Sequence, residues 1–402
     1  MAGYLTSDEW SYDNFTECII IGGAFAPRSS LPSYVLDPLV TDANGEIPCD
    51  KLTRAITSET APSDVWMPYR RYWLGSIAIT TLSLSALGIG GTHMLFHTLF
   101  VISLAAVAIA AIVRLAGTGS RIAAASLMAS AAIGGGITEL GGHVGHSPTF
   151  FFGLLCLAAT ITCYTCTRIR SVVAGFSVLG TVTAYYDILS GGIPFVFAIA
   201  ACLHLMLWLE ARGPNATLTG SFASLLAAGT AFGFGIALPI GLKLAVLHYE
   251  LGATDSYSQF LGQLRWRMSN DGIGAAGFAS LGRVFVALWE SRAELFLGGR
   301  PASDVVYAVG LAGWVAGLFL TSLSWLRSRR QADVMPLVPP LAGGLSIIVW
   351  FAVFREHAFI HSWMMTRVLS LVPAMGLVAF IMTLAHWRRQ PKAASSTHLS
   401  AA

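Results

Sequence analysis

The sequence predicts an all-α polytopic bundle of about nine transmembrane helices, with an external N-terminal segment and interfacial helices. Three observations carry that expectation. Only 11% of the 402 residues are charged and 55% are hydrophobic, whereas a soluble domain carries roughly 25% charged residues. The sparse charge falls in clusters, separated by apolar runs of roughly 20 residues that match a bilayer's hydrocarbon core. Ten of the 21 arginines, almost without carboxylates beside them, collect in alternate short loops, as the positive-inside rule requires. A net charge of +3 and the lack of a long basic stretch give no argument for a nucleic-acid partner. The partner expected from composition is membrane lipid.

Residues 1–71 are polar, carry ten carboxylates and are punctuated by Pro and Gly. The short apolar stretches Cys18 to Phe25 and Tyr34 to Val40 suggest a small folded element. No basic region followed by an apolar one opens the chain. An external segment of this kind needs a helix to carry it across, and a first helix missing from this chain is the expectation. Cys18 and Cys49 share the segment and could form a disulfide if it lies outside the cytoplasm. Cys163 and Cys166 form a C-x-x-C inside an apolar run, where packing is the expected role.

Residues 72–92 read as an interfacial or re-entrant helix broken at Gly88-Ile-Gly-Gly-Thr92. Spans are expected near 93–113, 122–139, 149–166, 171–187, 191–209, 218–244, 303–325, 336–354 and 363–386. This division places Arg114, Arg121, Arg168, Arg170, Arg212, Arg327, Arg329, Arg330, Arg388, Arg389 and Lys392 on one side. That side is then cytoplasmic, in what is expected to be a bacterial inner membrane, with the N-terminus outside and the C-terminus inside. A spanning 72–89 would invert the pattern. Residues 245–302 form a second external element, in which 274–297 reads as an amphipathic surface helix. Residues 303–390 return through the membrane, and 391–402 are expected to be a disordered tail.

Five polar sets on the outer side could carry chemistry. Asp13 and Glu17, in Asp13-Asn-Phe-Thr-Glu17, offer carboxylates for general base work, against a solvated loop charge or helix cap. Arg70, Arg71, Tyr72 and Trp73 suit an anionic lipid headgroup or plain interfacial anchoring. His143 and His146 follow a Gly-rich helix end; spacing fixes no further metal ligand, so contact of His146 or Ser147 with a polar ligand is favoured. Asp187 ends a span, as a site residue or as a cap of the next helix. Arg355, Glu356, His357, His361 and Arg367 crowd a short loop and the next helix. If that loop is helical, His357 and His361 share a face at i,i+4, beside an arginine suited to phosphate.

Taken in order, these stretches resemble a family of bacterial polytopic membrane proteins related to the GT-C-type glycosyltransferases. The matching residues are Asp13-Asn-Phe-Thr-Glu17, Arg70-Arg-Tyr-Trp-Leu-Gly75, Tyr186-Asp-Ile-Leu189 and Glu356-His-Ala-Phe-Ile-His361 with Arg367. The resemblance spans nearly the whole chain, and each motif is short. It implies a polyprenyl-phosphate sugar as donor and transfer to an acceptor at the outer face. It implies Asp13 as the base, with Glu17 the second choice, and Arg71, His357, His361 and Arg367 as contacts to the lipid phosphate. Leu74 stands where the family has histidine, and Glu356 where it has asparagine. A divalent metal could assist, but no ligand set is evident. The alternatives are a non-catalytic transporter or lipid-handling protein, and an assembly protein that has lost activity.

Overall fold

The computed structural model describes residues 13–26, 39–41, 48–57, 66–68, 75–134, 143–187, 191–249, 252–274, 277–291 and 299–389. The tail from 391 onward lies outside them. The N-terminal segment holds helix α1 (Asp13–Phe25), strand β1 (Leu39–Thr41), helix α2 (Pro48–Thr57) and strand β2 (Trp66–Pro68). The strands pair antiparallel, with Val40 opposite Met67. A disulfide joins Cys18 of α1 to Cys49 of α2 across 31 residues of chain. Ile20, Ile21 and Leu52 are buried around it. So small a core gains much from a cross-link. Replacing Cys18 with serine is expected to lower the segment's stability by about 2–4 kcal/mol. Faster limited proteolysis of the Cys18→Ser variant, matched by wild type under reductant, checks this.

Helix α3 (Gly75–Arg114) is two helices joined at a kink. Gly88 there has φ 67° and ψ −176°, a conformation open essentially to glycine alone. Thr92 Oγ1 donates to the Gly88 carbonyl at 2.8 Å, one turn into the second helix. The bundle continues through α4 (Thr118–Gly134), α5 (Ser147–Cys163), α6 (Ile169–Tyr186), α7 (Gly192–Arg212) and α8 (Leu218–Tyr249). Two shorter helices follow, α9 (Ser256–Arg267) and α10 (Gly277–Glu290). Helix α10 falls within the expected surface helix over 274–297, whose residues 275–276 and 292–297 lie outside the described residues, and α9 precedes it. Val284 and Leu288 of α10 are buried while Arg283 and Glu290 are exposed, so the helix is amphipathic; Val286 and Trp289 add exposed apolar surface. The chain then forms α11 (Gly299–Ser328), α12 (Val338–Val353), α13 (Arg355–Ile360), α14 (Ser362–Leu369) and α15 (Leu371–Arg389). The expected helix over 363–386 is interrupted at Ser370. Pro373 has no N–H to donate back to Leu369, which suits it to the first turn of a new helix.

Among the described residues, six helical stretches are long and apolar enough to cross a membrane: Gly75–Arg114, Gly192–Asn215, Leu218–Tyr249, Ser303–Arg327, Gln331–Val353 and Met364–Arg389. The protein is an all-α membrane bundle. Helix α7 is almost wholly buried, whereas α8 and α11 are mostly exposed. The exposed residues on those two are large and apolar, including Phe222, Leu226, Leu238, Leu311, Val315 and Phe319. In water that surface would drive aggregation; in lipid it is matched to its solvent. Around α7 the core is aromatic: Phe150 lies 5.0 Å from Phe195, and Phe96 lies 5.5 Å from Phe151.

Helices in lipid associate by close packing and interhelical hydrogen bonds. Helices α6 and α8 use both. A Cβ at Gly180 would fall 2.2 Å from the Phe232 carbonyl oxygen, and one at Gly235 would fall 2.1 Å from that of Ser177. Ser177 and Thr181 hydroxyls donate to the Ala231 and Gly235 carbonyls at 3.2 and 2.9 Å. Deeper in, His204 of α7 meets the Tyr164 hydroxyl at 2.6 Å and the Ser224 hydroxyl at 2.8 Å, so a buried imidazole is satisfied on both nitrogens.

The two ends of the bundle differ in charge. At one end, Arg114 donates to the carbonyls of Thr162 and Tyr164 at 2.7 and 3.0 Å. Glu210 accepts the amides of Ala116 and Gly117, and His386 meets Asp333 at 3.1 Å. These contacts gather the ends of α3, α5, α7 and α15 with the turn before α12, and with them ten of the 21 arginines but only two, Glu210 and Asp333, of the 21 carboxylates. At the opposite end, Gly75 abuts Tyr185, Gly134 abuts Ser370, and Gly23 abuts Ile77. The N-terminal segment therefore sits at the end that holds most of the carboxylates.

Candidate functional site

Two polar clusters occupy this acid-rich end. The first is built on Glu17, which α1 buries to 3% exposure. Its Oε1 lies 3.2 Å from His93 Nε2, and its Oε2 lies 3.9 Å from His143 Nε2. The Val144 N–H points to Oε1 at 3.5 Å. His93 stands five residues after the Gly88 kink, so the break in α3 is what brings an imidazole to α1. His143 Nδ1 accepts the Gly145 amide at 3.2 Å. In the neutral ring the proton then sits on Nε2, the nitrogen facing Glu17. His146 is fully buried and stacks on His143 at 4.5 Å. Among the described residues no group of three or more side chains has metal-binding geometry.

The second cluster is built on α13 and α14. Arg267, the last residue of α9, donates from Nη1 to His357 Nδ1. The rings of His357 and His361 lie 4.6 Å apart. Glu356 is fully buried and accepts the Gly272 amide at 2.6 Å, which ties α13 to the turn after α9. Arg355 is half-buried. Arg367 is 1% exposed, one of the largest wholly buried side chains in the protein. Thr366 beside it donates to the Leu288 carbonyl at 2.9 Å and fixes α14 against α10.

Burial, and secondly the Arg267 guanidinium, push the His361 imidazole down to about 4. His361 is therefore neutral at neutral pH. The unfolded ring titrates near 6.5, so between the two values the unfolded chain binds the extra proton. The contribution is full above pH 6.5 and is lost as pH falls towards 4. It is on the order of 2 kcal/mol for this partly exposed ring. Thermal unfolding at pH 7 and pH 4.5 is expected to show a smaller acid-induced drop in His361→Asn than in wild type.

Gly191 and Gly192, at the start of α7, lie between the clusters. A Cβ at Gly192 would fall 2.2 Å from Thr149, and one at Gly191 would fall 2.8 Å from Val368. Thr149 follows His146 by three residues and Val368 follows Arg367, so the glycine pair is flanked by both sets. Asp187 is 2% exposed, and its Oδ2 accepts the Ile193 amide at 3.0 Å. It caps α7, the structural one of its two expected roles. An apolar groove of about 650 Å³ runs between α7, α8 and α12. It extends from Phe222 and Leu225 to Ile193, Val353 and Phe354, ending one residue before Arg355.

The structure thus brings together Glu17 and His146 in one set, and His357, His361 and Arg367 along one short segment. Arg70, Arg71, Tyr72 and Trp73 lie outside the described residues, as does the side chain of Asp13, the first residue of α1. Sequence reasoning missed His93 and Arg267. A histidine inside an apolar run was the available signal for His93; Arg267 reads in sequence as one surface charge among several. Compared with protein-family models, curated proteins and solved structures, the chain matches none.

Proposed function

We propose that the protein is a GT-C-like glycosyltransferase that moves a sugar from a polyprenyl-phosphate donor to an acceptor at the outer membrane face. The observation that carries this is the pair of buried arginines, Arg267 donating to His357 and Arg367 on the segment that follows His361, beside an apolar groove that ends at Phe354. A prenyl chain needs the groove and a phosphate needs the arginines. The donor's bond from anomeric carbon to phosphate oxygen breaks with its electron pair moving to the phosphate. Fixed cations there stabilise the charge that develops. The acceptor hydroxyl attacks the anomeric carbon and gives its proton to a carboxylate. Glu17 is the better supported base, because it is buried and held between His93 and His143; Asp13 is the other candidate.

The membrane arrangement in this reading has nine crossings: the second half of α3, then α4, α5, α6, α7, α8, α11, α12 and α15. The first half of α3 lies at the interface and turns in at Gly88. The arginine-rich end faces the cytoplasm by the positive-inside rule. The Cys18–Cys49 disulfide supports an oxidising, external location for the N-terminal segment.

Farnesyl phosphate, a short prenyl phosphate, tests the donor site. Saturable binding by the full chain in detergent, competed by undecaprenyl phosphate but not by farnesol, is the expected result. Equal binding of farnesol and farnesyl phosphate would remove the role given to the cations.

A further inference from the structure

The arginine-rich end holds a cavity of about 680 Å³ that the outer-face reading does not use. It is framed by the loop between α3 and α4, the end of α7 with the turn after it, the turn before α12, and the end of α15. Its polar groups converge on Gly117. From the point where a Cβ would sit on that residue, Glu210 Oε1 is 2.7 Å away, Arg389 Nη2 3.3 Å and Ser120 Oγ 3.4 Å. The missing side chain is what leaves this cradle open.

Each group has an assignable role. Arg389 is exposed and makes no hydrogen bond or ion pair among the described residues. Helix α4 begins at this cavity, and its first backbone bond runs from Arg121 N to Gly117 O. The amides just before Arg121 therefore lack intrahelical acceptors and present the positive end of a helix dipole. Asp333 is buried and holds His386, so its charge is already answered. Glu210 accepts the amides of Ala116 and Gly117 at 2.6 and 3.0 Å. Its carboxylate opposes a bare anion, yet retains lone pairs for an ammonium. The remaining walls are apolar, with Met206, Leu209 and Met382.

We propose that this cavity is a phosphate site, with Arg389, Ser120 and the first turn of α4 holding the phosphate and Glu210 receiving an ammonium on the same ligand. A phosphate ester carrying an ammonium, the chemistry of an ethanolamine headgroup, satisfies both charges, and the apolar walls accept what the ester is attached to. Arginine and a helix N-terminus together form a strong phosphate receptor. The inference is independent of sugar transfer at the other end of the bundle.

The test is ligand binding by the full chain in detergent micelles, read by native mass spectrometry and thermal shift. The probes are short-chain phosphatidylethanolamine, short-chain phosphatidylglycerol, phosphoethanolamine and inorganic phosphate. Saturable binding is expected, strongest for a probe with the ammonium. Arg389→Gln should raise half-saturation at least tenfold. Gly117→Ala, which fills the cradle, should do the same, and Glu210→Gln should erase the preference for ethanolamine over glycerol. Binding of the lipid alone identifies a membrane headgroup; equal binding of phosphoethanolamine identifies a soluble ester. Either supports the site. Absence of saturable binding by all four probes, or unchanged binding in both Arg389→Gln and Gly117→Ala, overturns it.

Discussion

Glu17→Gln is expected to reduce sugar transfer by about 10²–10⁴-fold, the usual contribution of a positioned general base. Glutamine keeps the volume and can still accept the Val144 amide, so the packing of α1 on α3 survives. What it loses is the capacity to take a proton. Near-wild-type thermal unfolding beside the loss of transfer separates chemistry from folding. His93→Gln should have a smaller effect, because His93 only orients the carboxylate at 3.2 Å. Full transfer by Glu17→Gln would move the base elsewhere, with Asp13 the next to test.

Arg367→Met is the second large effect. Methionine approximates the apolar stem and removes the guanidinium, so the wholly buried site stays filled. Farnesyl phosphate binding should be lost and transfer should fall by about 10²–10³-fold, the scale of removing one group that stabilises developing charge. Arg367→Lys keeps the charge without the planar fork, and should bind farnesyl phosphate more weakly than wild type but better than Arg367→Met. A role confined to packing predicts the reverse: an unfolding temperature lower by several degrees and unaltered binding in the protein that stays folded.

Much of this was legible in the sequence because it is local or periodic. The run Gly88-Ile-Gly-Gly-Thr92 advertises a helix break, and the break falls at Gly88. The His357–His361 spacing puts two rings on one face, and they lie 4.6 Å apart. The shared polar segment of Cys18 and Cys49 left a disulfide open, and it is formed. Other features have no local signature. Arg267 meets His357 across 90 residues, and Glu17 meets His93 across a kink. Such meetings depend on how helices pack, which residue spacing does not encode. The interruption at Ser370 was hidden because apolar composition continues through it. Asp187 offered two roles of equal weight, and only the 3.0 Å bond to Ile193 distinguishes the cap.

The most direct test of an outer-face transferase is mass spectrometry of lipid-linked sugars and surface glycans in cells deleted for this protein. The strain is complemented in parallel by wild type, Glu17→Gln and Asp13→Asn, each verified for membrane abundance. The account predicts a glycan that loses a sugar on deletion, a matching rise in a polyprenyl-phosphate sugar, and restoration by wild type but not by Glu17→Gln. Unchanged glycans and unchanged lipid-linked pools in the deletion strain would contradict it.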